Sequence, residues 1–196
     1  MIFARLALLA ELLLIGTTLY LLLGQNWRWS VMALALQYLG VFLLTGLVWP
    51  LGLAAVKLVT GWMAGAVLSA SQPADEYAID RPSSRSAVAF RLLLGVLVIV
   101  LVLSLAPSLT GTLREPGPLI SGALLLIGMG LVQLGVTTRP LRVLLGLLTT
   151  LSGFELIYAG VEQSVLVVGL LAIVTLGISL VGAYLLDAQT IQEGGE

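Results

Sequence analysis

The chain has 196 residues, of which 59% are hydrophobic and 10% charged, with a net charge of −1. Soluble domains carry about 25% charged residues, so this composition excludes a soluble fold and points to a polytopic membrane protein in a lipid bilayer. There is no cysteine, no histidine and no basic run. These absences exclude thiol chemistry and the usual ligand sets for zinc, haem, copper and iron–sulfur clusters, and they argue against nucleic acid as a partner. No metal or cofactor is expected.

A spanning helix needs about 20 apolar residues. The first such run is 3–24; Glu11 interrupts it and no A-x-A cleavage site precedes Gln25, so it reads as a retained span rather than a signal peptide. Gln25 to Ser30 is a polar link whose two tryptophans, Trp27 and Trp29, suit a membrane interface. The apolar run from Val31 to Leu68 is roughly twice the length one span requires. Trp49-Pro50 lies near its middle, and proline disfavours helix at the residue before it. The run therefore divides into spans 31–48 and 51–69, with a single helix kinked at Pro50 as the competing reading.

Residues 70–87 form the longest polar segment and read as a cytoplasmic connecting loop. Span four is 88–106, and the stretch from Pro107 to Pro118 is dense in turn residues. Spans five, six and seven are 119–136, 141–161 and 164–186, followed by a short acidic tail at 187–196. The expected organisation is thus all-α: three spans in 1–69, a loop at 70–87, four spans in 88–186, and the tail. Seven spans place Arg5 and Arg114 on one side and Arg28, Arg81, Arg85, Arg91, Arg139 and Arg142 on the other. The positive-inside rule puts the second set in the cytoplasm. The N-terminus is then outside, the C-terminus inside, and the location the cytoplasmic membrane.

Lys57 has no other charge near it from Val31 to Ser71. Insertion scales put a lysine at a helix centre at about 3 kcal/mol unfavourable, so it needs a partner, a wet cavity or an interface. Counted from the outer helix ends, Glu11, Lys57 and Glu155 all lie roughly 9–13 Å deep. A contact of Lys57 with Glu155, or with Glu11 as counter-ion, is geometrically open. Three readings stand: an ion relay, a structural ion pair fixing helix register, or a lysine that snorkels to the interface. Gln37 and Gln133 fall near the cytoplasmic ends of spans two and five, as interhelical hydrogen-bonding groups or the lining of a water-filled access. Gly61 and Gly65 form a G-x-x-x-G on span three, and Gly146 and Gly153 share one face of span six, both suited to close packing. Span seven has no ionisable group in its interior, only Thr175 and Ser179 as hydroxyls.

Arg28-Trp29-Ser30, Ala35-Leu36-Gln37 and Leu53-Ala54-Ala55-Val56-Lys57-Leu58-Val59 together resemble the N-terminal half of the membrane subunit hydrogenase-4 component E. Arg139-Pro140-Leu141-Arg142, Gly146, Leu151-Ser152-Gly153-Phe154-Glu155 and Ala159 are similar to the three-helix K subunit of respiratory complex I and to component C of multisubunit cation/proton antiporters. The resemblance covers nearly the whole chain. It implies a non-catalytic membrane-arm subunit supporting proton or sodium translocation. Its partners would be large antiporter-like membrane subunits and a hydrogenase-like or quinone-reductase module. K-type subunits carry a carboxylate on their middle helix, and Glu155 is the nearest match. Two features depart from the pattern. The Met-Glu-Asn-Gly common in component E is replaced by Thr150-Leu151-Ser152-Gly153, and Val174 to Leu180 lacks the second carboxylate of K-type subunits. Both departures weaken a proton path through the chain and leave a scaffold role intact. An independent small transporter or channel, and a purely structural scaffold, are the alternatives.

Overall fold

The computed structural model describes residues 2–72, 84–113, 115–162 and 164–193. Arg81, Arg114, the middle of the polar loop (73–83) and the end of the tail (194–196) lie outside the described residues. Seven α-helices follow in order: α1 (Ile2–Leu23), α2 (Trp27–Thr45), α3 (Leu51–Ala70), α4 (Arg85–Leu113), α5 (Gly117–Val136), α6 (Pro140–Val161) and α7 (Val165–Glu193). All seven are long and apolar enough to cross a membrane. In a bilayer this is the arrangement that satisfies every backbone amide within its own segment.

The long apolar run is broken where the proline predicts. α2 ends at Thr45, Trp49 N donates to Thr45 O at 2.7 Å, and Pro50 is the N-cap residue of α3. The kinked single helix is thereby excluded. Trp49 is buried. Its Nε1 donates to Ala159 O at 2.9 Å, and its ring packs with Ala159 and Val168. This clasps the α2–α3 turn to the end of α6 and the start of α7.

Several helix boundaries differ from the sequence reading. α2 begins at Trp27, inside the expected polar link, because the Asn26 side chain accepts from Arg28 N at 3.0 Å and caps the helix there. The Arg28 guanidinium lies 5.4 Å from the centre of the Trp27 ring. α4 runs through Pro107 to Leu113 instead of stopping at residue 106. Proline removes one hydrogen bond from the ladder, but the residues after it keep theirs and a membrane helix tolerates the loss. α7 also continues through most of the expected tail, to Glu193.

α2, α5 and α6 are the inner helices, while α4 and α7 are the least covered. α5 packs on α6, α4 and α1; α2 packs on α1, α3 and α6; α7 packs on α3 and α6. Four helices therefore close a ring in the order α2, α3, α7, α6. One apolar core fills the space between α1, α2, α4 and α5, with Leu14, Leu44, Leu126 and Met129 at its centre. Leu14 sits between two glycines: a Cβ at Gly40 would fall 2.8 Å from it, and one at Gly122 3.2 Å. The buried ion pair of the bundle lies elsewhere, inside the ring.

Candidate functional site

Lys57 comes from α3 and Glu155 from α6. These helices are not packed on each other but face across the ring. The four-carbon stem of lysine crosses that gap, and Lys57 Nζ lies 2.5 Å from Glu155 Oε1. Lys57 is 2% exposed and Glu155 1%, so snorkelling to an interface is excluded. Each residue stands six positions from the helix end nearest the α2–α3 and α6–α7 turns, Leu51 for one and Val161 for the other. At 1.5 Å per residue both are roughly 9 Å in from that end of the bundle. Equal depth lets the two charges meet without tilting either helix.

The surroundings are supplied by the other two helices of the ring. Thr175 Oγ1 on α7 donates to Leu171 O at 2.9 Å and reaches Glu155 Oε1 at 3.4 Å. Ser179 Oγ, one turn further along, donates to Thr175 O at 3.0 Å. From α2, Tyr38 lays its ring against Gly61 and brings its buried hydroxyl close to Ser152, within electrostatic range of Glu155. Gln37 Nε2 lies 3.3 Å from Thr149 Oγ1, which in turn lies 3.3 Å from Gln37 Oε1. Gln37, Tyr38, Lys57, Thr149, Ser152, Glu155, Thr175 and Ser179 are all buried. They form one polar column inside an otherwise apolar bundle. Buried charges are tolerated when paired, and the contact between Lys57 and Glu155 provides the pairing, with Thr175 beside Oε1.

The remaining expected residues are placed apart from this column. Glu11 does not meet Lys57. It is half-buried between α1 and α5, where Ser121 Oγ donates to its Oε1. Gln133 does not meet Gln37; its Nε2 donates to Arg142 O at 3.0 Å, joining α5 to α6. Arg142 Nη2 donates to Gly24 O, tying the end of α1 to the same place. Gly61 is a close-packing position, since a Cβ there would lie 2.1–2.4 Å from the Tyr38 ring. Gly65 is looser, with Val31 Cγ1 at 3.6 Å. Gly146 and Gly153 both face α5. At Gly153 a Cβ would fall 2.7 Å from Ala123 O and 2.8 Å from Ile127 N, so the two backbones touch.

Tyr38 and Ser121 are the residues that sequence reasoning passed over. A signal for Tyr38 exists: it lies seven positions before the end of α2, matching the depth of Lys57 across the α2–α3 hairpin. Ser121 carries no such mark. Among the described residues no group of three or more acidic residues could hold a metal ion. No protein-family model, curated protein or solved structure matches the chain. Sequence and structure together establish a polytopic membrane protein, whose described residues form an all-α bundle of seven helices, four of them enclosing a buried lysine–glutamate pair.

Proposed function

We propose that this chain is a non-catalytic membrane-arm subunit of a complex I-like hydrogenase or multisubunit antiporter assembly, supporting proton or sodium translocation in the cytoplasmic membrane. The observation that carries the reading is the Lys57–Glu155 pair, buried at one depth in the ring α2, α3, α7, α6. An ionisable side chain inside a bundle is a functional-site candidate by default, and ion pathways and proton relays are among the uses such groups have. The resemblance of the Lys57 and Glu155 segments to hydrogenase-4 component E and the K subunit of complex I supports the same role. Glu11 is a further ion-pathway candidate, reached by α1 and α5 rather than through the ring. The partners on this reading are large antiporter-like membrane subunits and a hydrogenase-like or quinone-reductase module.

The chain solubilised in mild detergent should bring down those subunits, whose genes should neighbour its own. In the assembled complex, Lys57→Met and Glu155→Gln should each impair ion pumping while assembly is retained. Normal pumping in both variants would leave only a scaffold. Ion flux by the purified chain alone in liposomes would instead make it an independent transporter or channel.

The proposed orientation, with the N-terminus outside, has its own check. The native chain is free of cysteine. Ser71→Cys, after α3, should react with an impermeant thiol reagent only from the cytoplasmic side, and Ser164→Cys, between α6 and α7, only from outside. The opposite pattern would invert the topology.

A further inference from the structure

Three buried side-chain atoms in the ring have no hydrogen-bond partner among the described residues: Tyr38 Oη, Glu155 Oε2 and, apart from its contact with Glu155 Oε1, Lys57 Nζ. They share one neighbourhood. Nζ touches one oxygen of the Glu155 carboxylate and Oε2 is its other oxygen, while the Tyr38 ring lies against Gly61, one turn from Lys57 on α3, with its hydroxyl buried in the same ring of helices. Their inventories are complementary. An ammonium carries three donors and uses one here, a carboxylate oxygen only accepts, and a phenol does both. Groups this deeply buried are normally satisfied; among the described residues Ser152 approaches the Tyr38 hydroxyl without closing a hydrogen bond to it.

We propose that Tyr38 Oη, Lys57 Nζ and Glu155 Oε2 together hold an internal water, and that Tyr38 is the positioning residue of this site. One water accepts from Nζ, donates to Oε2 and exchanges a hydrogen bond with the phenol. That is three bonds, the usual number for a buried water. Position is built into the fold. Gly61 lies four residues after Lys57, hence on the same face of α3. The Tyr38 ring lies so close against Gly61 that no Cβ fits between them. The phenol is thereby seated on the turn of α3 next to Lys57, and its hydroxyl is fixed at the pair. The site belongs to the chain alone. It stands or falls independently of any partner subunit or ion flux.

Lys57 is the sole lysine of the sequence. Labelling lysine with ¹⁵N at Nζ therefore gives one assigned signal in the full chain. In lipid bilayers, with a paramagnetic agent quenching bulk water, solid-state NMR should show magnetisation passing from internal water to Nζ. In Tyr38→Phe, which keeps the ring and removes the hydroxyl, that transfer should fall roughly twofold, as one of the three bonds holding the water is lost. The backbone spectrum should stay unchanged. A ring carbon label on tyrosine should show Tyr38 receiving magnetisation from the same water in the unmodified chain, a readout that needs no variant to fold. Absence of water transfer to Nζ in the unmodified chain would overturn the proposal. So would an undiminished transfer in Tyr38→Phe, which would leave Tyr38 a packing residue only.

Discussion

Glu155→Leu should destabilise the bundle by about 3–5 kcal/mol, the range seen when one partner of a buried ion pair is removed. The loss has a specific origin. Lys57 is held inside the ring by a stem that reaches across from α3, and among the described residues Glu155 is the only counter-charge its amine touches. With the carboxylate gone, the amine stays among apolar neighbours or drags α3 outward. Lys57→Met leaves the reverse problem, a carboxylate without its counter-charge, with the Thr175 hydroxyl as its side-chain donor among the described residues. The double variant Lys57→Met/Glu155→Leu removes both charges and should recover most of the loss, because well-packed apolar residues often replace a buried pair at little cost. Unfolding titrations from mild detergent into sodium dodecyl sulfate would measure all four proteins as a double-mutant cycle. A coupling well above 1 kcal/mol is expected for residues in direct contact. If the two single losses simply add, the pair does not hold the ring together.

The same residues show how far the sequence reaches. Seven helices follow from the lengths of apolar runs, and the one ambiguous run is resolved by Trp49-Pro50. Counting residues from helix ends puts Glu11, Lys57 and Glu155 at one depth, which works because membrane helices run side by side between two fixed planes. Depth says nothing about azimuth, however. Glu11 lies at a similar depth, yet it faces α5 and Ser121, because α1 meets α2 and α5 and is not part of the ring. Choosing between Glu11 and Glu155 required helix adjacency. Tyr38 was missed for a related reason: a tyrosine in an apolar span reads as packing until its hydroxyl is placed beside a charge. The start of α2 was misplaced because a cap outweighs composition locally. Asn26 fixes the first turn although Trp27 to Ser30 looks like a link.

α6 explains why the polar column and the tight packing coexist. Gly146, Thr150 and Gly153 lie on one face and meet α5; Thr149, Ser152 and Glu155 lie on the adjoining face and enter the ring. The first face brings two backbones together through small residues, the usual basis of helix association in lipid. The second face carries the hydrogen bonds. Because both faces belong to one rigid helix, the α5 contact sets where Glu155 stands. Positioning of the buried pair is therefore a property of the α5–α6 interface as much as of the pair.

Gly153→Leu should test that dependence and carry a loss of about 3 kcal/mol, at the upper end of overpacking penalties. The atoms a side chain would meet at Gly153 are Ala123 O and Ile127 N, both backbone, together with Ile127 Cγ1. A flexible side chain can swing aside, but a helix backbone cannot, so α5 and α6 must separate along their contact. Glu155 lies two residues on and moves with α6, away from the amine on α3. The variant should therefore also lower the Lys57–Glu155 coupling measured by the cycle. Gly135→Ala provides the comparison. It lies on the same α5, with nothing within 4 Å of an added Cβ, and should be neutral or gain up to about 1 kcal/mol from improved helix propensity. A Gly153→Leu protein that unfolds like the unmodified chain would mean that α5 and α6 are not in backbone contact. A destabilised variant with undiminished coupling would mean that the ring holds Glu155 in place without help from α5.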